Sequence, residues 1–529
     1  RTMVQFTVTA TFLIAGCFLA AYAGQVMFGM SNGAWLSSVA TAWLILTLLA
    51  LSLLPLLSWA FKQFDVNSIP IAIIGNNGTG KSNLIEALLH IFTGLYYDSP
   101  PEFDFEIDYT AHGKRVHVVN NNDYAIYKIA VDGDVWSRAR FKKRVRETEA
   151  MPPFPALIFG YYSGTCERIE KLLKRYERTF SAKMRSQSND LQRNFIFSNI
   201  DQAKWILLSL IAHKHHELLK RMSISGALLL KITLKPPRYY DPSSSDIKLW
   251  DTKGAFREFL SALENNSVDS DEKRYEKNDQ YITQERTYYI TLNTLSGHEK
   301  LENIAKVLES RGTNLYSMLQ AFHSNKMLIN VEYELKHTNS NKMFPFDSLS
   351  EGEKQLLCVI GGLTMAQHKE CLVLLDEPDT HLNPTWSWEY NSLLEKALQA
   401  EQRDRSTVLL ATHDPVLISG LNKEQVLIAH SRNNRLFYKP PHRDPKGQGI
   451  ANVLTSEFFG LPSSLDINTQ KLLDERLMLA YKPERLTDRE RERLESINLE
   501  LNELGLTISF RDPKYKAFEQ NEYQERNQE

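Results

Sequence analysis

The chain has 529 residues, with 62 Lys and Arg against 64 Asp and Glu, giving a formal net charge of −2. The length allows more than one domain, and the near-neutral charge excludes a global electrostatic attraction to nucleic acid, so any polyanion needs a local basic patch. The four cysteines are far apart with no CxxC pair, which argues against a zinc site or a disulfide framework.

The first segment, residues 1–60, is strongly apolar. No Asp, Glu, Lys or Arg lies between Arg1 and Lys62, and residues 41–60 contain nine leucines. Together with a weaker apolar stretch at residues 8–30, this predicts a transmembrane helical hairpin that tethers a cytoplasmic chain to the bacterial inner membrane. A signal peptide ending near residues 21–23 and an untethered cytoplasmic chain are the alternatives.

Residues 75–82 read GNNGTGKS, a full match to the phosphate-loop pattern, between an apolar strand-like stretch and a helix-like stretch. Backbone N–H groups at such a loop and helix N-terminus attract phosphate anions. Lys81 is expected to reach the β- and γ-phosphates of ATP, and the Ser82 hydroxyl to ligate Mg²⁺. The predicted ATP-binding residues are Gly75, Asn76, Asn77, Gly78, Thr79, Gly80, Lys81 and Ser82.

Residues 61–165 are predicted to form an N-terminal lobe that contains this loop and a flanking antiparallel sheet. Alternating stretches at 116–119 and 125–130 indicate its strands. One basic run in this lobe is a weak candidate for contact with nucleic acid phosphates. A solvated strand edge, protected by its charge, explains the run equally well. The basic residues are Arg138, Arg140, Lys142, Lys143, Arg144 and Arg146.

Residues 166–338 are predicted to be a large, mainly helical insertion that forms an arm or lid. Residues 339–460 then resume an α/β core, since buried strands alternate with helices there, which indicates a mostly parallel, doubly wound sheet. The remaining residues, 461–529, are predicted to form a C-terminal helical tail. The expected fold is therefore a P-loop NTPase.

The apolar strand at residues 372–375 ends in two carboxylates, Asp376 and Glu377. Asp376 is placed to hold Mg²⁺ through its water shell, and Glu377 to polarise the attacking water. Burying two acids at a strand end without a cation would be costly, which favours a hydrolytic site.

Three shorter motifs accompany these carboxylates. Residues 348–353 read SLSEGE, an ABC-type signature that would complete an ATP site on a second copy of the chain; its residues are Leu349, Ser350, Glu351, Gly352 and Glu353. His413, after the next strand, resembles a switch histidine that contacts the γ-phosphate. Asp379 begins a stretch that resembles a D-loop, which in such proteins lies across the dimer seam.

Together these motifs resemble the ABC-ATPase clade of the SMC, RecF and OLD proteins. Residues 75–88, 161–164, 376–384 and 510–513 resemble, more narrowly, the PtuA ATPases of Septu anti-phage systems and of retrons carrying a Septu-type effector pair. The resemblance spans roughly residue 61 to the C-terminus. It implies an ATP-dependent homodimer or higher homo-oligomer that scaffolds or regulates an HNH nuclease of the PtuB type. In the retron form, a reverse transcriptase and its DNA–RNA hybrid would join the complex.

The sequence departs from this pattern at one place, because no glutamine lies between Ser82 and Gly164 and the usual Q-loop residue is absent. An OLD-type nuclease is disfavoured, since no Toprim-like Glu and DxD set follows His413. Two other functions remain open: a DNA-repair ATPase of the RecF or SMC type, and, with less support from two spans alone, the ATPase subunit of a membrane transporter. We expect ATPase activity and no intrinsic nuclease activity.

Overall fold

The structure is a computed structural model that describes residues 70–75, 78–122, 126–146, 151–164, 167–186, 191, 193–241, 248–277, 280–292, 295–340, 342–366, 370–398, 405–432, 435–482 and 485–506. The predicted membrane hairpin at residues 1–60 and the 510–513 motif lie outside these residues. None of the described helices has the length and apolarity needed to cross a membrane.

The strands are numbered in chain order. They are β1 Ile71–Ile74, β2 Phe105–Ala111, β3 Lys114–Asn121, β4 Ile126–Val131, β5 Asp134–Trp136, β6 Leu157–Tyr162, β7 Phe195–Ser198, β8 Ile224–Ala227, β9 Leu229–Leu234, β10 Asp269–Lys277, β11 Gln280–Thr291, β12 Leu328–Glu332, β13 Glu334–His337, β14 Met343–Pro345, β15 Cys371–Asp376, β16 Thr407–Ala411, β17 Val426–Arg432 and β18 Arg435–Lys439.

The helices are numbered in the same way. They are α1 Lys81–Tyr97, α2 Arg138–Arg146, α3 Glu167–Arg185, α4 Ala203–Ala212, α5 His216–Arg221, α6 Gly254–Asn266, α7 Leu295–Glu309, α8 Leu315–Ser324, α9 Glu351–Leu356, α10 Gly362–Ala366, α11 Pro384–Ala397, α12 Pro415–Ile418, α13 Ile450–Thr455, α14 Ile467–Ala480 and α15 Asp488–Glu503. A π-helical turn, Leu357–Gly361, joins α9 to α10.

The central sheet of the described residues has the strand order β18-β17-β1-β16-β15-β6-β7. Every neighbouring pair is parallel except β17 with β18. Strands β1 and β15 are buried along their whole length, as expected for a parallel sheet covered on both faces. This confirms the predicted α/β core with a mostly parallel sheet.

The register of the central sheet aligns the ends of its strands. Ile73 lies opposite Ala411, and Asp376 lies opposite both Ala411 and Tyr162. Because parallel strands share the same carboxyl edge, the segments that follow β1, β6, β15 and β16 emerge side by side. This edge is where ligands bind in open α/β sheets.

A separate four-stranded antiparallel sheet, β2-β3-β4-β5, follows α1 and matches the predicted flanking sheet. Its buried face is formed by alternate residues such as Val116 and Val118 on β3. The short helix α2 then packs against the N-terminal lobe through Phe141 and Val145, which are four residues apart and both buried.

The long insertion is more than a helical arm. It contains helices α3 to α8, but it also adds β7 to the central sheet and builds a second antiparallel sheet with the order β10-β11-β9-β12. A three-stranded sheet, β14-β13-β8, pairs the last strand of the insertion, β13, with β8 from its middle and with β14 just beyond it. Helical periodicity at residues 167–178 and 201–222 was visible in the sequence, whereas the pairing of β9 with strands about 50 and 100 residues later was not.

Candidate nucleotide site

The phosphate loop connects β1 to α1. Gly78 and Gly80 have φ values of 81° and 75°, in the left-handed region that glycine adopts without strain. Lys81 begins α1, is 6% exposed, and its Nζ donates to the carbonyl of Gly75 at 2.7 Å. The lysine is thus folded back over the loop at the start of a 17-residue helix. Asn76 and Asn77 lie outside the described residues.

The hydroxyl of Ser82 meets the carboxylate at the end of β15. Ser82 Oγ donates to Asp376 Oδ1 at 3.0 Å, although the two residues are 294 positions apart. Asp376 is 3% exposed. Burial, assisted by the neighbouring charge of Glu377, raises the pKa of Asp376 to about 6, against the opposing hydrogen bond from Ser82 and the charge of Lys81. These two oxygen donors suit a hard divalent cation, which would favour the ionised carboxylate.

Glu377 and His413 approach each other from adjacent strand ends. His413 Nδ1 lies 3.3 Å from Glu377 Oε1, and both side chains are partly exposed. Glu377 has a φ of 48°, unusual for a residue with a side chain. Its backbone N–H donates to the carbonyl of Ala411 on β16 at 2.9 Å, which fixes the turn that follows β15.

The segment after Glu377 is tied to both neighbouring strands. Thr412 Oγ1 donates to Asp379 Oδ2 at 2.6 Å. Asp379 is therefore buried against its own chain, and desolvation raises its pKa to about 6. On the other side, Thr380 Oγ1 lies 3.3 Å from Ser163 Oγ, just beyond β6. The D-loop-like stretch thus links three strand ends.

The signature opens α9. Ser350 caps the helix, accepting from the N–H of Glu353, whose side chain accepts from the Ser350 N–H in return. Ser350 is exposed, whereas Leu349 is buried. A Cβ on Gly352 would lie 2.4 Å from the carbonyl oxygen of His381, so glycine is required for the helix to approach the D-loop-like stretch this closely. The exposed Glu351 carboxylate lies 3.5 Å from His381 Nε2.

Two polar side chains at this edge had no individual role predicted from sequence, although Ser163 lies in the 161–164 stretch that carries the family resemblance. Ser163 follows β6, and its N–H donates to the carbonyl of Asp376 at 3.2 Å. It lies at the end of the stretch between Ser82 and Gly164 that contains no glutamine. Gln355 on α9 is fully buried and hydrogen-bonds the backbone of Glu377 and His381. Its position five residues after Ser350 carried no distinguishing signal.

The six basic residues of α2 lie on a helix, so the alternative of a solvated strand edge is wrong. Arg140 stacks on Trp136, with its guanidinium carbon 4.0 Å from the ring centroid. Arg138 pairs with Asp98 at 2.6 Å and also lies over an aromatic ring. Stacking on Trp136 holds the Arg140 guanidinium in place without using its edge donors, whereas Arg138 already donates to Asp98. Lys142 is partly buried, and Lys143, Arg144 and Arg146 are exposed.

Comparison with known proteins supports the ATPase assignment. Residues 173–419, just under half of the chain, match the family model described as "AAA domain, putative AbiEii toxin, Type IV TA system". The matched part contains the signature, both carboxylates of β15 and its following turn, and His413. The phosphate loop precedes it and is identified by its own pattern and geometry.

Three curated proteins are similar to parts of the chain. "Retron Vc95 probable ATPase" of Vibrio cholerae is 21% identical over 413 residues, which cover 72% of this chain and 73% of the relative. "Septu protein PtuA" of Bacillus mycoides is 27% identical over 229 residues, covering 41% of this chain and 28% of that protein. "Cell division ATP-binding protein FtsE" of Streptococcus pneumoniae is 27% identical over 132 residues, covering 25% of this chain and 51% of that protein.

Proposed function

We propose that this chain, an AAA-type ATPase distantly related to Retron Vc95 probable ATPase and Septu protein PtuA, binds and hydrolyses ATP in sites shared between two copies of itself. The observation that carries the proposal is the meeting of two side-chain pairs at one sheet edge. Ser82 and Asp376 form one pair, and Glu377 and His413 form the other.

ATP binding is assigned to the phosphate loop and the N-terminus of α1. Lys81 is the first residue of α1, so phosphates bound at this helix N-terminus would meet both the helix dipole and a full charge. In the free protein the Lys81 ammonium is held by the Gly75 carbonyl. Exchanging that carbonyl for phosphate oxygens lets the lysine bind without a large movement of its backbone.

Mg²⁺ is assigned to Ser82 and Asp376, which already place two oxygens 3.0 Å apart. When bound, the ion would supply charge neutralisation for the phosphates during transfer. Asp376 contributes a carboxylate whose ionised form is disfavoured by burial in the free protein, so binding a cation relieves a cost that the fold imposes.

Hydrolysis is assigned to Glu377 and His413. The Glu377 carboxylate accepts a proton from the attacking water, and His413 holds the carboxylate and contacts the γ-phosphate. Ser350 of the signature is exposed, so it is accessible to ATP bound by a second copy of the chain. Dimerisation would then complete both sites.

The biological setting is proposed from the relatives. The likeness to Retron Vc95 probable ATPase and Septu protein PtuA supports a role in anti-phage defence. The proposed partners are an HNH nuclease of the PtuB type and, in a retron arrangement, a reverse transcriptase with its DNA–RNA hybrid. The basic helix α2 is the proposed contact with nucleic acid. Charge reversal at Lys143 and Arg144 should weaken binding to a DNA duplex and reduce the salt dependence of that binding.

One alternative is the ATPase subunit of a membrane transporter; the likeness to the ATP-binding protein FtsE covers a quarter of the chain and supports ATP binding without a defence role. Co-purification distinguishes the two. An HNH nuclease from the neighbouring genes that binds the chain supports the defence role, whereas a membrane permease as the bound partner contradicts it.

The ATPase assignment is tested by Glu377→Gln, with Glu424→Gln at an exposed position as the matched control. Glu377→Gln should bind ATP with nearly wild-type affinity, lose at least about 100-fold in kcat, as for removal of a general base, and accumulate dimers in ATP. Turnover at the wild-type rate in this variant would remove Glu377 from the mechanism.

A further inference from the structure

The side chain of Gln355 joins the signature helix to the hydrolytic segment of the same chain. Its amide nitrogen donates to the carbonyl of Glu377 at 3.0 Å, and its amide oxygen accepts from the N–H of His381 at 3.1 Å. Gln355 is 0% exposed, so these bonds form away from competing water. One side chain therefore holds both ends of the turn that runs from Glu377 to His381.

This contact acts where the backbone is strained. A left-handed conformation is unfavourable for a non-glycine residue, so the φ of 48° at Glu377 persists only if its surroundings impose it. The carbonyl of Glu377 accepts from Gln355 and from Thr380 Oγ1, and its N–H donates to Ala411. Thr380 belongs to the same turn, whereas Gln355 reaches it from another element.

The direction of the Glu377 carboxylate depends on this backbone. Its Oε1 lies 3.3 Å from His413 Nδ1, a distance that a rotation of the 376–378 peptides would change. General-base catalysis requires the carboxylate within hydrogen-bonding reach of the attacking water. A contact that fixes the backbone of Glu377 therefore bears on kcat more than on the affinity for ATP.

We propose that Gln355 is a positioning residue for hydrolysis, holding Glu377 of its own chain in the orientation that activates water. This rests on the proposed ATPase function. In a dimer with shared sites, one helix would then serve two sites: its first residues would complete the site of the partner copy, while Gln355 would act on the site of its own chain.

The first test is Gln355→Met, which keeps the length of the side chain and removes both hydrogen bonds. Gln320→Met is the matched control, because Gln320 is also buried and polar but binds Arg193 from α8 in the insertion. We expect Gln355→Met to lower kcat at least about 10-fold with a change of less than about threefold in the Kd for ATP, the pattern expected when only transition-state stabilisation is lost. The control variant should retain its kcat.

The second test separates positioning from a general loss of stability. A mixture of Ser350→Arg and Lys81→Ala chains should contain dimers with one intact site, built from the phosphate loop and Glu377 of the Ser350→Arg chain and the signature of the Lys81→Ala chain. Adding Gln355→Met to the Ser350→Arg chain should abolish most of the restored activity. Adding Gln355→Met to the Lys81→Ala chain should leave the activity within about twofold of that of the parent mixture, because Glu377 of the Lys81→Ala chain serves no intact site.

The outcomes are distinguishable. If the parent mixture restores activity but Gln355→Met has the same effect in either chain, or none in both, the role of Gln355 in its own site is refuted. If the parent mixture restores nothing while each chain still folds and binds ATP or its partner, the shared-site function itself fails. A kcat for Gln355→Met equal to that of Gln320→Met also refutes the proposal.

Discussion

Glu377 and His413 lie on neighbouring strand ends with Oε1 and Nδ1 3.3 Å apart, so a candidate base and a candidate phosphate sensor contact each other directly in the free protein. The strands that carry them, β15 and β16, are parallel and in register, with Asp376 opposite Ala411. The pair is therefore fixed by the central sheet and needs no movement of the insertion.

His413→Ala should lower kcat roughly 10- to 100-fold while leaving the Kd for ATP within a few-fold, because the substitution removes a contact expected to strengthen as the γ-phosphate is transferred. Single-turnover hydrolysis with purified protein measures this. His430→Ala, at an exposed histidine on β17, is the control. Equal rates for the two variants would contradict a role for His413.

Ser82→Ala should raise the Mg²⁺ concentration needed for half-maximal hydrolysis by about 10-fold or more, because one oxygen ligand is removed and Asp376 loses its hydrogen-bond donor. A Mg²⁺ titration at saturating ATP measures the shift. Ser496→Ala on α15, whose hydroxyl hydrogen-bonds Glu500 far along the chain, is the control. An unchanged Mg²⁺ requirement would exclude Ser82 as a ligand.

Asp379 should make the folded protein less stable as pH rises from about 4 to about 6. Burial raises its pKa to about 6, above the unfolded value of about 3.9. Within that window the folded chain keeps a proton that the unfolded chain has lost, so the free energy of unfolding falls as pH increases and the loss is complete above pH 6.

Asp379→Asn removes this titration. The melting temperature of the wild type, relative to that of the variant, should therefore fall by a few °C between pH 4.5 and pH 7.5, since each pKa unit corresponds to about 1.4 kcal/mol. Thermal unfolding without nucleotide measures it, with the exposed Asp474→Asn as control. If the melting temperature of the wild type instead rose relative to that of Asp379→Asn over this pH range, Asp379 would be stabilised as a carboxylate and the prediction would be wrong.

Much of the site was predictable because its motifs are local. A phosphate loop, a signature and a strand ending in two acids are each contiguous, and the rule that parallel strands share a carboxyl edge brings their ends together. The meeting of Ser82 with Asp376 follows from that rule. The helical conformation of α2 was also predictable, because its two apolar residues, Phe141 and Val145, are four positions apart.

Other contacts depend on tertiary register that no local pattern encodes. Gln355 reaches Glu377 only because α9 crosses the end of β15 at the distance that Gly352 permits. The hydrogen bond from Thr412 to Asp379 likewise forms only in the observed register of β15 with β16, and a shift by one residue would break it. The second antiparallel sheet of the insertion joins β9 to β12 across about 100 residues, which periodicity alone does not reveal.

The central claim, that each ATP site is shared between two copies of the chain, is tested most directly by mixing Ser350→Arg with Lys81→Ala. Each variant alone should hydrolyse ATP at a few per cent of the wild-type rate or less. The mixture should recover up to about a quarter of that rate, as expected when half of the dimers are mixed and each carries one intact site. A mixture no more active than the separate variants, with mixed dimers shown to form, would contradict the claim.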